Sequence, residues 1–539
     1  MDDKNLHTGT KLMPEQARQR EPGFLSNIRL RAECVWVHAT QTGDARIVSV
    51  EVFLISIAVT LAWRLLDQAE GGDSAIWDYV AQSILRGQVP YRDVVEIKGP
   101  LSAYVSAIAM WLGKSVGLRD VLAVRFMQVL FAGLLSSVTF LVTEAYLRQR
   151  MTALIASLWA LMSFHFVSWT EGGTQPKLTM ILFGMLSLLL IAKDKPFWAG
   201  CCSMLSCLCW QPGLLFTGVG VLMFSRYLTS WRDLRALNVL AGAVAPLAVT
   251  VLYFYAVGAV TDFWIWTVAY NFEVYARVGL RDAGDTFTHI WVVLDRVFKI
   301  DVVWLALSAI GLLMFGARQL RVRLTKNGLV SPALFRDAIL IAPVVYIAFC
   351  LINLQSGPDL IPLFPFIGLF AGWLITEVSG RLTPVALVTA KPALRRTVQL
   401  LPALALLSIC AVAVVRAARS KLDGPTLEYQ DKQLRTVTDL IGPDDKIYVH
   451  GSVELLLLLN RPNLNPYIMW DHGKAAYLVA KKYGGSVDVM IDAIEAEAPK
   501  LVALSRLKHI AEGAALERWV ENHYDRVPIT GYEIYLRKQ

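Results

Sequence analysis

Residues 67–100 read DQAEGGDSAIWDYVAQSILRGQVPYRDVVEIKGP, and this stretch decides how the rest of the chain is read. It follows an apolar run and crowds Asp67, Glu70, Asp73, Asp78, Arg86, Arg92, Asp93, Glu96 and Lys98 into one short loop. Charge set against a bilayer is costly and marks function by default, so the loop is the expected chemical site. Within it, Ile76, Val80 and Ile84, flanked by Trp77, Ala81 and Leu85, recur at helical spacing, while Asp78, Gln82 and Arg86 fall on the opposite side. That pattern predicts a helix lying in the membrane interface, apolar face down and polar face to water. Gly87 and Pro90 turn the chain, and Lys98-Gly99-Pro100 opens a second surface helix with Leu101, Val105, Ile108 and Leu112 along one side. Both ends of the loop then meet at the membrane surface.

Outside the loop, composition fixes the class. Over 539 residues, 55% hydrophobic content, 18% charge and a mean hydropathy of +0.47 exclude a soluble enzyme and imply a polytopic membrane protein. Apolar runs place spans at 47–66, 121–146, 151–169, 176–193, 196–210, 212–226, 237–259, 301–317, 337–354, 359–378 and 399–416, about eleven crossings at roughly 20 residues each. Residues 100–117 are apolar but short and carry Lys114, so they are expected to stay on the outer surface. With that choice most loop Lys and Arg fall inside, as the positive-inside rule requires. Residues 1–46, with Lys4, Lys11, Arg18, Arg20, Arg29, Arg31 and Arg46 but no apolar signal core, read as a cytoplasmic tail, and the C-terminal region lies outside. The pI of 9.0 then calls for no nucleic-acid partner. The seven cysteines show neither a disulfide framework nor metal-ligand spacing.

From 417 to 539 the pattern becomes that of a soluble domain. LEYQDKQLRTVTDLIG reads as an amphipathic helix, KIYVHG and LVAL as strands, VDVMIDAIEAEAPK as a helix and VPITGYEIYLR as a terminal hairpin. The expected fold is thus an α-helical polytopic membrane module over 47–416, with residues 67–120 as its first periplasmic loop, followed by a small periplasmic α/β domain.

An Asp opening a juxtamembrane helix after the first span (Asp73), a Trp- and Tyr-bearing helix ending in Gly, and a Lys-Gly-Pro-Leu element at 98–101 together resemble the GT-C glycosyltransferases. The likeness is to the integral-membrane group that includes protein mannosyltransferases and lipid A aminoarabinose transferases. It covers the first third of the chain by motif and the rest by layout. Trp210-Gln211-Pro212-Gly213 is similar to that group's polar break between paired short helices, and Gln355-Ser-Gly-Pro-Asp359-Leu-Ile-Pro to its entry into a late span. The resemblance implies sugar transfer from a polyprenyl-phosphate donor on the outer face of the bacterial inner membrane, with the loop Asp as base. The chain departs from the pattern twice. Asp73-Ser74 stands where the group often has Asp-Glu, and Thr170-Glu171-Gly-Gly-Thr-Gln175-Pro176 stands where it often has a carboxylate before the fourth span, leaving Glu171 as the candidate substitute.

The chemistry explains the residue types. An acceptor hydroxyl needs a carboxylate to become nucleophilic, and a departing phosphate needs cations. Asp73 fits the first role, although Asp before a helix is also favoured purely as an N-cap. Lys98 fits the second, against a competing reading as an interfacial lysine whose stem lies along apolar surface. Arg125 and Arg277 are further phosphate candidates, and Glu96, Glu171, Gln211 and Tyr270 are candidate acceptor or sugar contacts. No cofactor is implied beyond an optional divalent metal. The partners are the lipid-linked donor, a lipid, glycan or protein acceptor, and membrane lipid. The function expected is an inverting glycosyltransferase; a lipid-linked oligosaccharide transporter or flippase, or a polysaccharide polymerase or ligase, are the other classes such a layout serves.

Overall fold

The computed structural model describes residues 44–225, 233–275, 283–325, 336–389, 392–420, 424–469, 473–505, 507, 513–529 and 531–538. The chain divides into residues 1–48 and 49–539, and the second unit holds the helices and the sheet that form the site. Nearly all of the expected basic tail, and Arg277, lie outside the described residues.

In chain order the longer helices are α1 (Ala45–Ala62), α2 (Gly72–Leu85), α3 (Leu101–Ser115), α4 (Asp120–Leu147), α5 (Arg150–Leu158), α6 (Phe164–Glu171), α7 (Pro176–Ala192), α8 (Pro196–Cys209), α9 (Leu215–Ser225), α10 (Arg235–Ala256), α11 (Ala283–Phe298), α12 (Val302–Thr325), α13 (Ala338–Asn353), α14 (Phe364–Thr389) and α15 (Pro392–Arg419). Among the described residues, α1, α4, α10, α12, α14 and α15 supply six segments long and apolar enough to cross a membrane. The span expected at 151–169 is broken. Its two parts, 150–162 and 164–171, meet at 70°, where Ser163 leaves helical geometry and its side chain caps α6 by accepting the Phe166 N–H. At the other expected spans stand α7, α8, α9 and α13, apolar but shorter. The 15-residue α3 is about 22 Å long, shorter than a hydrocarbon core of about 30 Å, as are α7, α8, α9 and α13.

The C-terminal elements follow the expected alternation, as α16 (Leu427–Thr438), β1 (Ile447–His450), α17 (Val453–Leu459), α18 (Lys474–Lys482), α19 (Val487–Ala496), β2 (Leu501–Leu504), α20 (Gly513–His523), β3 (Tyr524–Ile529) and β4 (Tyr532–Arg537). The sheet order is β1-β2-β4-β3, with β1 and β2 parallel and β3 and β4 an antiparallel hairpin. All residues of β1 and β2 are buried, as their unbroken apolar runs require.

One expectation is overturned. The polar side of α2 does not meet water, since Asp78 is 0% and Gln82 2% exposed. Gln82 donates to Asp120 Oδ2 at 2.9 Å and to the Leu457 carbonyl at 3.2 Å. Ile76, Trp77 and Val80 share one core with Met110, Val121 and Val124 on one side and with Val449, Val453 and Leu456 on the other. The helix is a buried strut between α3, α4 and α17.

Candidate active site

Two glycines let the chain turn into α2, Gly71 in extended backbone and Gly72 at φ +63°. Asp73 sits inside the first turn and is exposed, and among the described residues its carboxylate makes no hydrogen bond or ion pair. It is therefore not the N-cap that sequence alone allows. Ser74 does the local bonding instead, its hydroxyl lying 2.9 Å from the Gly71 carbonyl and 3.2 Å from Glu70 Oε1.

Asp73 opens onto a small pocket of about 60 Å³ whose polar walls are Glu96, Lys98, Lys177, Gln355, Ser356, Asp359 and Lys474, with Ile76, Trp77 and Met469 among its apolar lining. Lys98 is held by the backbone on either side of it. The Tyr91 hydroxyl donates to the Lys98 carbonyl at 2.7 Å, the Lys98 N–H donates to Glu96 Oε1 at 3.1 Å, and Gln211 and Asn271 both donate to the Ile97 carbonyl. Gly99 is forced by space, because a Cβ there would lie 2.1 Å from the Leu208 carbonyl oxygen at the end of α8. The Lys98 ammonium lies 5.3 Å from the Trp210 ring centroid and 6.0 Å from that of Trp77; the Lys177 ammonium lies 5.1 Å from Trp210. One indole thus serves both cations, an arrangement that lowers the cost of holding them in a partly dry site.

Lys177 belongs to the first turn of α7 and is ion-paired with Asp359 at 2.7 Å, both side chains being almost fully buried. Asp359 is itself fixed, since its Oδ2 accepts the N–H groups of Gln355 and Ser356 at 2.8 and 2.9 Å, completing a capping box with Ser356.

Other sequence candidates take different places. Arg125, 0% exposed, donates to Glu70 Oε2 at 2.7 Å and to the Leu66 and Gln68 carbonyls at 2.6 Å each, away from the pocket. Glu171 accepts the Leu65 N–H at 2.8 Å and does not line the pocket either. Gln211 braces Ile97 rather than facing the cavity, and Tyr270 is fully buried against Trp266 and Tyr477. Lys177, Asp359 and Lys474 were not among the sequence candidates. The available signal for the first two was a single charge at the mouth of an apolar helix, which needs a partner. Among the described residues no three His, Cys, Asp or Glu side chains gather to hold a metal.

Beside the polar pocket, starting at Pro100 directly after Lys98-Gly99, lies an apolar groove of about 540 Å³ lined by Leu101, Tyr104, Leu205, Leu208, Val249 and Phe254 among others.

The fold is that of solved membrane proteins, ArnT and an archaeal oligosaccharyltransferase. ArnT from Cupriavidus metallidurans bound to undecaprenyl phosphate superposes with a TM-score of 0.59 at 13% identity, over 91% of this chain and 97% of that one. The same protein in its apo state gives 0.57 at 14% identity over 94% and 98%. The Archaeoglobus fulgidus oligosaccharyltransferase in its apo form gives 0.52 at 13% identity, over 91% of this chain and 74% of that one. At such identities the likeness is one of fold. No family model matches the chain, and no curated protein matches it in sequence.

Proposed function

We propose that this chain is a polyprenyl-phosphate-dependent glycosyltransferase that moves a sugar to a lipid, glycan or protein acceptor at the periplasmic face of a bacterial inner membrane. In this reading residues 1–46 are cytoplasmic, 47–416 form the catalytic membrane module and 417–539 are periplasmic. The observation that carries it is the meeting, in one pocket, of the Asp73 carboxylate with the Lys98 and Lys177 ammonium groups, beside an apolar groove that begins at Pro100. A single ligand with an anionic head and a hydrocarbon tail fits that combination.

The chemistry follows from the residues. The Asp73 carboxylate takes the proton of the acceptor hydroxyl as its oxygen bonds to the anomeric carbon. The bond from that carbon to the phosphate oxygen breaks, and the polyprenyl phosphate leaves with added negative charge. Lys98 and Lys177, fixed by the Ile97 carbonyl contacts and by Asp359, meet that charge where it develops.

The test is incubation of the purified protein with a panel of radiolabelled undecaprenyl-phosphate sugars, scoring sugar transfer and release of undecaprenyl phosphate. Transport of lipid-linked oligosaccharide undiminished in Asp73→Asn, with no transfer from any donor, would assign the pocket to a flippase instead. Orientation is checked separately by Lys432→Cys, an exposed position on α16. It should react with an impermeant thiol reagent in intact spheroplasts.

A further inference from the structure

Asp78 lies on α2 five residues after Asp73, and its carboxyl points into the protein interior instead of the pocket. Its Oδ1 accepts the Thr174 N–H at 3.1 Å and also the Thr174 hydroxyl. Thr174 Oγ1 in turn lies 2.6 Å from Ser106 Oγ. Thr174 Oγ1 thus touches both Asp78 Oδ1 and Ser106 Oγ, and the three side chains form one hydrogen-bonded chain. All three residues are buried.

Each member sits on a segment that carries one polar group of the pocket. Asp78 shares α2 with Asp73, Ser106 is on α3, which begins three residues after Lys98, and Thr174 is three residues before Lys177. Gly173 makes room for the arrangement: it has φ +121°, and a Cβ there would fall 2.7 Å from Asp78 Oδ2. Among the described residues no cation touches Asp78, because the nearby Arg125 ends on Glu70 and two carbonyls. Burying an acid without an ion pair costs stability that an apolar side chain would not. A purely space-filling role would select Leu or Met at this site. Burial first, then the charge of Glu70, push the Asp78 carboxyl well above its ordinary range, while the two bonds from Thr174 pull it back.

We propose that Ser106, Thr174 and Asp78 form a positioning latch that sets the spacing of Asp73, Lys98 and Lys177 around the pocket. The inference rests on the reading of that pocket as a phosphate-binding catalytic site. The latch residues touch no substrate; they act through the segments they join.

Thr174→Val preserves shape and removes the shared hydroxyl, and Thr174→Ser restores it. Two measurements on the full-length protein in detergent decide the matter. In hydrogen exchange, Thr174→Val and Ser106→Ala should each speed exchange in all three of the segments 72–80, 98–108 and 172–178, with Thr174→Ser close to wild type. In binding of radiolabelled undecaprenyl phosphate, Thr174→Val should lose about tenfold in affinity, roughly one buried hydrogen bond. Thr174→Ser should recover the affinity together with any melting temperature lost in Thr174→Val. Faster exchange confined to 172–178, or unchanged affinity in Thr174→Val, would overturn the latch. If the wild-type protein does not bind undecaprenyl phosphate at all, the phosphate reading of the pocket fails, while the exchange arm still decides whether the three segments are coupled.

Discussion

Arg125 and Lys98 are both nearly inaccessible cations, at 0% and 8% exposure, yet their surroundings differ in kind. The guanidinium of Arg125 is enclosed by one carboxylate and two peptide carbonyls, which accept from its Nη1 and Nη2 groups and fix the exit of the first span to α4. The ammonium of Lys98 lies over indole faces at the wall of an open pocket. Ring faces hold a cation by electrostatics, and here they hold it at a wall that a ligand in the pocket can reach. Charge alone therefore does not distinguish chemistry from architecture in this loop; the neighbours of the charge do.

The comparison breaks first, and most visibly, at Asp73. Asp73→Asn leaves the fold intact, since the carboxylate bonds to nothing among the described residues, and should lower transfer by on the order of 10² to 10⁴. Turnover at the wild-type level would remove Asp73 as the base. Arg125→Met comes next. It strands Glu70 in a buried site and should cost about 3–5 kcal/mol of stability, read as a large drop in melting temperature or loss of monodisperse protein. A folded Arg125→Met protein that fails only in donor binding would restore Arg125 as the phosphate ligand expected from sequence and erase the contrast with Lys98.

Lys98→Met should be milder and purely functional. A charge-assisted contact is worth about 1.5–3 kcal/mol, so undecaprenyl-phosphate affinity should fall by tens of fold, with Lys98→Arg retaining part of it. Equal affinity in Lys98→Met and wild type would favour the interfacial-lysine account. The smallest effect concerns pH. Because the folded-state Asp78 carboxyl is raised above its ordinary value of 3.8, by burial first and Glu70 second, the folded protein holds that proton more tightly than the unfolded chain. Its contribution to stability is complete below that value and declines as pH rises toward the folded-state value. Asp78→Asn, which has no proton to lose, should flatten the fall of melting temperature with rising pH; parallel curves for the two proteins would refute the assignment.

How much of this was legible follows physical lines. The strands KIYVHG and LVAL, and the placing of Asp73 and Lys98 at opposite ends of one loop, rest on local pattern and survive in the structure. Asp78 and Gln82 mark a polar face correctly, but amphipathic spacing separates polar from apolar and not water from protein. The arrival of α17 at Gln82 and of Gly173 and Thr174 at Asp78 makes that face an interior. The Lys177–Asp359 pair joins two segments far apart in sequence, each with one unremarkable charge, and their meeting depends on how α7 packs against the 357–363 turn. Glu171 shows the reverse failure. Position in the motif made it a candidate, yet its Oε2 accepts the Leu65 N–H and the residue lies outside the pocket lining.

The pocket is also assembled out of order along the chain. Its floor is laid down by residues 73–98, but Met469 and Lys474 complete its wall, the Val95 N–H donates to the Pro466 carbonyl at 2.8 Å, and the Asn463 N–H donates to the Tyr79 hydroxyl at 2.8 Å. During synthesis, which runs from the N-terminus, the early loop enters the membrane long before these partners exist. A nascent chain stalled anywhere ahead of residue 463 thus holds the charged residues of the loop without the scaffold that orders them. Completion of translation becomes a checkpoint for the site, and a half-made chain in the membrane is an inert one.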